Sequence, residues 1–514
     1  MRIARVLLIL MFIGLLVNTS LSSNRYTRPQ LDQRIYSWSD ETYPIIIRSN
    51  ADLAALSSGG AGTANDPYVI ADLQISVHDE EMAINIRDTD AYFILFNCRI
   101  EMVRGFSAIV MSNVSYGVFE ECEIIGAGVI LDRCNSCEIV DCTITGSMSE
   151  VGIEILFSED VRMKGNIISN SPSGIRVMGS ENIRLSSNHI YDNEVFGIDV
   201  YLSANTSMYD NVLENNGVFL SLWWAGYNGH MIEGKQYIDV PYNFDNNSVN
   251  GKPLGFFHGI TDDTIEGDTF GQIILLNCSN LEVVGGDFLK SSVGFQMHFS
   301  ENCSIKGANV ADNGAWGMYV FYSNFTVIEN CSVHDNSWNG ILLEKSPFTQ
   351  ISNNSIINND ATGVYLATSD NCSILNNSLS HNFSGVGIGS SSNCTVIGNE
   401  LVYNSVYGIL LIGDSHQNSI YGNAIGWNGA ANGRDEAGYN FWDNGIDQGN
   451  SWSDYSGFGN YIIEYYGTDH YPSFLGNPIM SPVTLLMIGT GSAIIFTIII
   501  GLVWMRKRGK RGQI

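Results

Sequence analysis

The sequence predicts an all-β fold, a right-handed parallel β-helix (solenoid) with terminal caps, followed by one C-terminal transmembrane α-helix. Three observations carry this reading. A short motif recurs along most of the chain, the runs between its turn residues alternate apolar and polar side chains, and near the C-terminus an uncharged run ends in a basic cluster.

The repeat is plainest where Cys372-Ser-Ile-Leu-Asn-Asn377, Cys394-Thr-Val-Ile-Gly-Asn399 and Asn418-Ser-Ile-Tyr-Gly-Asn423 are laid together. Equivalent positions fall at Asn166, Asn188, Asn211, Gly286, Ala308, Asn330 and Asn354, and Cys98, Cys122 and Cys142 extend the series toward the N-terminus. The spacing of roughly 20 to 25 residues is that of a solenoid. Each repeat holds two or three short β-rich runs with one apolar face, separated by Asn, Ser, Asp and Gly. Leucine-rich and helical repeat patterns are absent, so coils of short parallel strands explain the period, and parallel crossovers are right-handed. Asparagine tolerates the left-handed corner backbone, and its stacked amides form hydrogen-bonded ladders. About thirteen coils at ~4.8 Å make a rod on the order of 60 Å long.

This divides the chain into a signal peptide (1–22), an N-terminal extension and cap (23–75) and a β-helix (76–430) interrupted at 219–270. A C-terminal aromatic cap (431–475) with Trp442 and Trp452, a linker (476–482), a transmembrane helix (483–504) and a basic tail (505–514) follow. Arg2 and Arg5 precede the apolar run Val6–Val17, with Ser20 and Ser22 beyond it, as in a secretory signal. Val483–Trp504 carries no charge, and Arg506, Lys507, Arg508, Lys510 and Arg511 follow, which predicts a single-pass protein with its body extracellular and its tail cytoplasmic.

The chain has 53 acidic and 25 basic residues, and the exterior portion alone carries about −35. Such a surface repels nucleic acid, so a nucleic-acid partner is discounted. Calcium is the candidate cation for an acidic cluster, although solubility alone accounts for the charge. Five of the ten cysteines lie in Asn-Cys-Ser/Thr triplets, at Cys278, Cys303, Cys331, Cys372 and Cys394. Their recurrence points to unpaired core residues in equivalent places of successive coils. Cys134, Cys137 and Cys142 are closer together, and a Cys134–Cys142 or Cys137–Cys142 bridge is a candidate. About a dozen Asn-x-Ser/Thr sequons, among them Asn113, Asn277, Asn324 and Asn382, are compatible with glycosylation.

The segment Asn246-Asn-Ser-Val-Asn-Gly251-Lys252-Pro253-Leu254, followed by Gly271-Gln272 and Cys278, resembles an interruption of the NosD-type β-helix proteins. Gly62-Thr63 with Asp66-Pro67-Tyr68, and Trp442 with Trp452-Ser-Asp454-Tyr455, resemble membrane-anchored archaeal members. That resemblance covers most of the exterior region. It implies the fold and places the chain in a class of carbohydrate-binding and sugar-hydrolase β-helices. NosD itself is associated with copper-site assembly in nitrous oxide reductase, and the membrane anchor departs from a free periplasmic factor.

No catalytic constellation is recognisable. The nine histidines are scattered, and a coil separates His334 from His381. The best acidic group is Asp262, Asp263, Glu266 and Asp268 in the interruption. The same interval holds Trp223, Trp224, Tyr227, His230, Phe256, Phe257 and His258, and rings beside acids suit sugar binding. The leading expectation is a noncatalytic surface protein that binds glycans or other envelope components through this interval. The alternatives are a polysaccharide lyase or glycoside hydrolase, and a metal-site maturation factor.

Overall fold

The computed structural model describes residues 45–78, 82–103, 107–147, 151–225, 231–233 and 241–476. The expected signal peptide, membrane span and basic tail lie outside the described residues. Among the described residues no helix is long and apolar enough to cross a membrane.

The chain coils into a right-handed parallel β-solenoid of about 17 turns. Each full coil contributes three strands, for example Ser173–Met178 (face A), Arg184–Ser186 (face B) and His189–Tyr191 (face C), and each strand pairs in parallel with its counterpart one coil on. Alternation does what the sequence implied. In Thr362–Ala367, Val364 and Leu366 point into the core and are fully buried, while Tyr365 and Ala367 face outward.

Two kinds of asparagine hold the corners. The first kind is buried and forms a ladder along the core: Nδ2 of Asn354 donates to Oδ1 of Asn377 (2.9 Å), and Asn377 donates likewise to Asn399 (3.0 Å) and Asn399 to Asn423 (3.0 Å). The same Oδ1 atoms accept the next backbone N–H, and each Nδ2 also reaches a core-strand carbonyl. Asn166, Asn188, Asn211 and Asn247 form the matching ladder earlier in the chain. A second asparagine column runs from Asn313 to Asn428 before face A, and a serine column from Ser300 to Ser415 follows face A. The other kind sits at exposed corners with left-handed backbone, as at Asn353 (φ 58°) and Asn376 (φ 55°). One assignment made from the repeat shifts accordingly. Asn330 (φ 55°) is a corner residue, and its neighbour Cys331 occupies the ladder, donating its N–H to Asn354 Oδ1 (2.8 Å). The sequon asparagine Asn382 is a buried ladder member, whereas Asn113, Asn277 and Asn324 are exposed.

All ten cysteines are free and buried. They do not share one place in the coil. Cys98, Cys122, Cys142 and Cys331 precede face C, Cys137, Cys303, Cys372 and Cys394 precede face B, and Cys134 and Cys278 follow face A. The triplet recurs at different corners because every corner needs the same thing: a residue tolerant of positive φ, then a small inward side chain. The candidate bridges from Cys142 to Cys134 or Cys137 are not formed, because Cys142 stacks under Cys122 in another column.

The solenoid is not one continuous rod. Faces A and B of the first stack are eight-stranded sheets ending at Val218–Ser221 and Asn243–Asp245. The next strand, Lys252–His258, pairs antiparallel with Ser248–Val249 across a two-residue turn, Asn250 (φ 51°) and Gly251 (φ 79°). It then begins a new face A that runs to Glu464–Tyr465. Positive φ at both turn residues is the hairpin geometry for which Asn-Gly is favoured. The sheets change within the interval 219–270 that breaks the repeat.

The open edge of the first stack is closed by the flank of the second. Val218 donates its N–H to Gln272 Oε1 (2.8 Å), Leu220 donates to Gln296 Oε1 (3.1 Å), and Nε2 of both glutamines donates to Val218 O (2.6 Å each). Ser292 Oγ accepts from the N–H of Gly197 and Gly217 (3.0 Å each). Approach is so close that a Cβ on Gly217 would lie 2.1 Å from Ser291 Oγ. The outward residues Ile274, Leu276, Tyr319 and Phe321 of the second stack therefore pack with the first stack's core, while Ile273, Leu275 and Val320 belong to the second core.

Two outcomes follow from these contacts. Asn377→Ala removes the acceptor of two Asn354 donors in a buried site and lowers unfolding stability by about 3 kcal/mol, whereas Asn376→Gly keeps the left-handed corner and changes it by less than about 1 kcal/mol, as read by equilibrium urea unfolding. Joint replacement Gln272→Leu and Gln296→Leu unpairs the last face A strand of the first stack. Amide exchange at Val218 and Leu220 should accelerate about tenfold or more while Asn377 stays protected.

Candidate functional site

The interval expected to carry a ligand surface is the junction between the two stacks, and its residues divide. Phe256 and Phe257 are adjacent in one strand and so point to opposite faces. Phe256 plugs the open end of the first stack, 4.5 Å from Phe244 between ring centroids, with Tyr242 and His258 beside it. Phe257 packs edge-on against Phe270 (5.5 Å) at the start of the second core. Both rings are half-buried. Asp262, Asp263 and Glu266 are exposed on the first coil of the second stack. Asp262 accepts from Asn280 Nδ2 (2.7 Å), and Asp263 accepts from the N–H of Thr264 (2.8 Å). Trp223 and Trp224 lie in a short antiparallel hairpin with Met231–Glu233. Their side chains, and the whole of Tyr227 and His230, lie outside the described residues.

The junction also brings together groups that the sequence reading passed over. Glu154, Arg176 and Asp199 lie side by side on the outer face A of the first stack, in strict register one coil apart. Arg176 Nη1 pairs with Glu154 (3.2 Å), and its Nε donates to Asp199 Oδ2 (3.2 Å). Asp199 is fully buried, and its Oδ1 has no hydrogen-bond partner. Burial pushes its carboxyl up to about 7, against the opposing pull of Arg176. Tyr201 follows on the same strand, with its hydroxyl held well above its ordinary range by burial and by the Asp199 carboxylate. Across the junction, Tyr319 donates its hydroxyl to Glu344 (2.9 Å), and burial raises the Glu344 carboxyl. Phe219 joins the two walls, its ring 5.3 Å from Trp316 and 5.8 Å from both Tyr319 and Tyr201.

His298 faces outward from the second stack between Tyr319 and Phe321, with centroids 5.6 and 6.2 Å away. It is fully buried, and neither ring nitrogen has a hydrogen-bond partner. Burial lowers its affinity for a proton to a pKa of about 3. In the sequence these residues look like ordinary outward positions. The available signal was the loss of alternation in Gln272-Ile-Ile-Leu-Leu276 and Val218-Phe-Leu-Ser221, since a strand covered on both faces reads as a continuous apolar run.

Among the described residues no group of three or more His, Cys, Asp or Glu side chains converges as an ion requires. His334 is held by Asp335 (2.7 Å) and Asn309 (3.2 Å), and His381 stacks on Tyr403 (5.8 Å).

The state of His298 gives a pH test with a definite sign. A folded pKa below the ordinary 6.5 means that the unfolded chain binds the extra proton, so stability is lost as pH falls from 6.5 toward 3. His298→Phe removes this liability among apolar neighbours. Its unfolding midpoint should match the parent near neutrality and exceed it increasingly in acid, by about 3 kcal/mol near pH 4. A constant difference at every pH would contradict the buried neutral imidazole.

Comparison with known proteins follows the same division. Residues 82–270 match the family described as right handed beta helix region, and residues 259–457 match the family described as periplasmic copper-binding protein (NosD). The two ranges meet at the junction. No curated protein matches the chain in sequence. Three solved structures resemble it at 12% identity: the A-module of a mannuronan C-5 epimerase from Azotobacter vinelandii (66% of this chain, 85% of that one, TM-score 0.26), a periplasmic alginate epimerase, AlgG (84% and 84%, 0.29), and PfbA, a surface adhesin of Streptococcus pneumoniae (77% and 91%, 0.28). At these TM-scores the likeness carries no argument about chemistry. Both matches are to β-helix families, and the coiled parallel sheets make the chain a right-handed parallel β-helix protein whose second half is similar to the NosD family.

Proposed function

We propose that this protein is a membrane-anchored extracellular β-helix that binds glycans or other envelope components without turning them over, at the junction of its two stacks. The observation that supports this best is the acidic group exposed where the second stack begins, beside the half-buried Phe257 and His258 of its first strand. Tyr201 with Asp199 and Arg176, and Tyr319 bonded to Glu344, are largely buried between the outer faces and brace the junction beneath it. The exposed acids Asp262, Asp263 and Glu266 lie on the coil that starts the second stack at this junction. Carboxylates accept sugar hydroxyls and rings cover the apolar sugar face. Trp223, Trp224, Tyr227, His230, Phe257 and His258 complete the proposed surface, with calcium as its candidate cation. The stack supplies what a binding surface needs, a rigid scaffold under projecting loops.

One observation favours a second reading, cleavage of a polysaccharide. A carboxyl that takes up its proton near pH 7, as Asp199 does, suits acid–base work. Against it, Asp199 is fully buried and tied to Arg176.

A glycan array probed with the full chain in detergent tests the proposal. The combined variant Asp262→Ala, Asp263→Ala and Glu344→Gln, with circular dichroism unchanged, should lose binding about tenfold or more. Undiminished binding would place the surface elsewhere, absence of binding to any glycan or envelope extract would end the reading, and release of shortened saccharides from a bound polymer would favour the enzyme.

A further inference from the structure

We infer that the C-terminal end of the second stack is a seat for the lipid bilayer, an aromatic rim that rests on the membrane surface. The inference rests on the anchor reading of Val483–Trp504 and extends it from a tether to a defined docking face.

The first observation is how apolar surface is distributed. Among the described residues before residue 439, no large apolar side chain is more than 48% exposed. Beyond that point Tyr439 is 86%, Phe458 88% and Ile462 70% exposed. This concentration lies on one end of the molecule. Face A ends in Tyr465, which pairs with Asp435; face B ends in Phe441, which pairs with Ser419; face C ends in Phe474, which pairs with Trp452. All three faces thus finish in an exposed aromatic.

These rings are not what closes the core. Trp442 and Trp452 do that, both fully buried, with Nε1 donating to Asp435 (3.3 Å) and Asp469 (2.9 Å). Tyr461 stacks on Trp452 at 4.0 Å and completes the plug. Among the described residues Tyr465 meets Arg434 (4.4 Å) and Tyr439 meets His416 (5.9 Å), while Phe441, Phe458 and Phe474 keep their rings open to solvent, and such surface marks an interaction face.

The course of the chain identifies the occupant. Gly476 is the last described residue, and the uncharged run starts at Val483, seven residues on. Seven residues span at most about 25 Å. A helix spanning the bilayer from Val483 therefore holds the rim within that distance of the membrane. Tyrosine and other amphipathic rings favour the headgroup level, where the ring is dry and its polar edge wet. Residues 431–476 carry seven acids against one basic side chain, Arg434, and this charge keeps the cap at the surface and favours uncharged or zwitterionic lipid over anionic lipid.

The buried native cysteines make a site-directed test clean. In the full chain, Phe458→Cys, Phe474→Cys and, as control, Phe348→Cys are labelled under native conditions with a small fluorophore. Each is reconstituted into phosphatidylcholine vesicles carrying a headgroup nitroxide. Quenching at 458 and 474 should exceed that at 348 by at least twofold. Equal quenching at all three positions, in chains that float with the vesicles, would overturn the rim and leave the anchor intact. Chains that do not float with the vesicles would overturn both.

Discussion

Every parallel coil must hydrogen-bond to a coil on each side, so a stack always ends in an unpaired edge over an open core. The rest of this structure is arranged around that constraint. At the N-terminal end the helix Asn50–Leu56, capped by Ser49, lays the fully buried Leu53 over the first coil. At the C-terminal end two tryptophans do the same. At the interior end between the stacks, Phe256, Trp316 and Trp338 of the second stack pack against the first stack's core. There glutamine amides from the second stack stand in for the missing strand, each offering an acceptor and a donor to the peptide groups of Val218 and Leu220. An amide side chain is the one common side chain that reproduces both halves of a peptide.

The same principle explains why the coil was readable and its division was not. Period, alternation and the asparagine ladder are local consequences of one coil on another, so they recur, and recurrence is visible. Even so, Asn330 and Cys331 show its resolution: two adjacent small polar residues each fit the consensus, and only the register of Asn354 decides which one enters the ladder. The break between stacks is a single event. Its clearest sign, Asn250-Gly251 between apolar runs, is a hairpin signal that has no place in a solenoid of parallel strands. The period fails across 219–270 in the sequence, while the geometry of the change of sheets depends on contacts between residues about 75 positions apart, such as Gly217 with Ser292.

Candidate site residues were legible to a lesser degree for the same reason. Clustering in sequence brought Phe256 and Phe257 together as one platform, yet neighbours in a strand face opposite ways. One ring serves each stack. Asp262, Asp263 and Glu266 fall together on one coil, because a group that close in sequence is already local. Glu154, Arg176 and Asp199 are spaced by a full coil, and nothing in a single repeat marks them.

Burial gives Asp199 and His298 their chemistry, and burial here is a property of the junction. An outward position on a lone β-helix faces water, where a carboxylate and an imidazole keep their ordinary proton affinities. When the second stack covers that face, Asp199 is pushed toward neutrality and His298 away from protonation, through loss of water in both cases. The two shifts act on stability in opposite directions. Asp199 favours the folded state as pH falls from 7 toward 3.8, and His298 disfavours it as pH falls from 6.5 toward 3. Around mild acidity they partly cancel, so the contact between the stacks is less sensitive to acid than either group alone would make it. Retaining both ionisable groups is consistent with that balance, whereas an interface selected only for strength would replace them with apolar side chains.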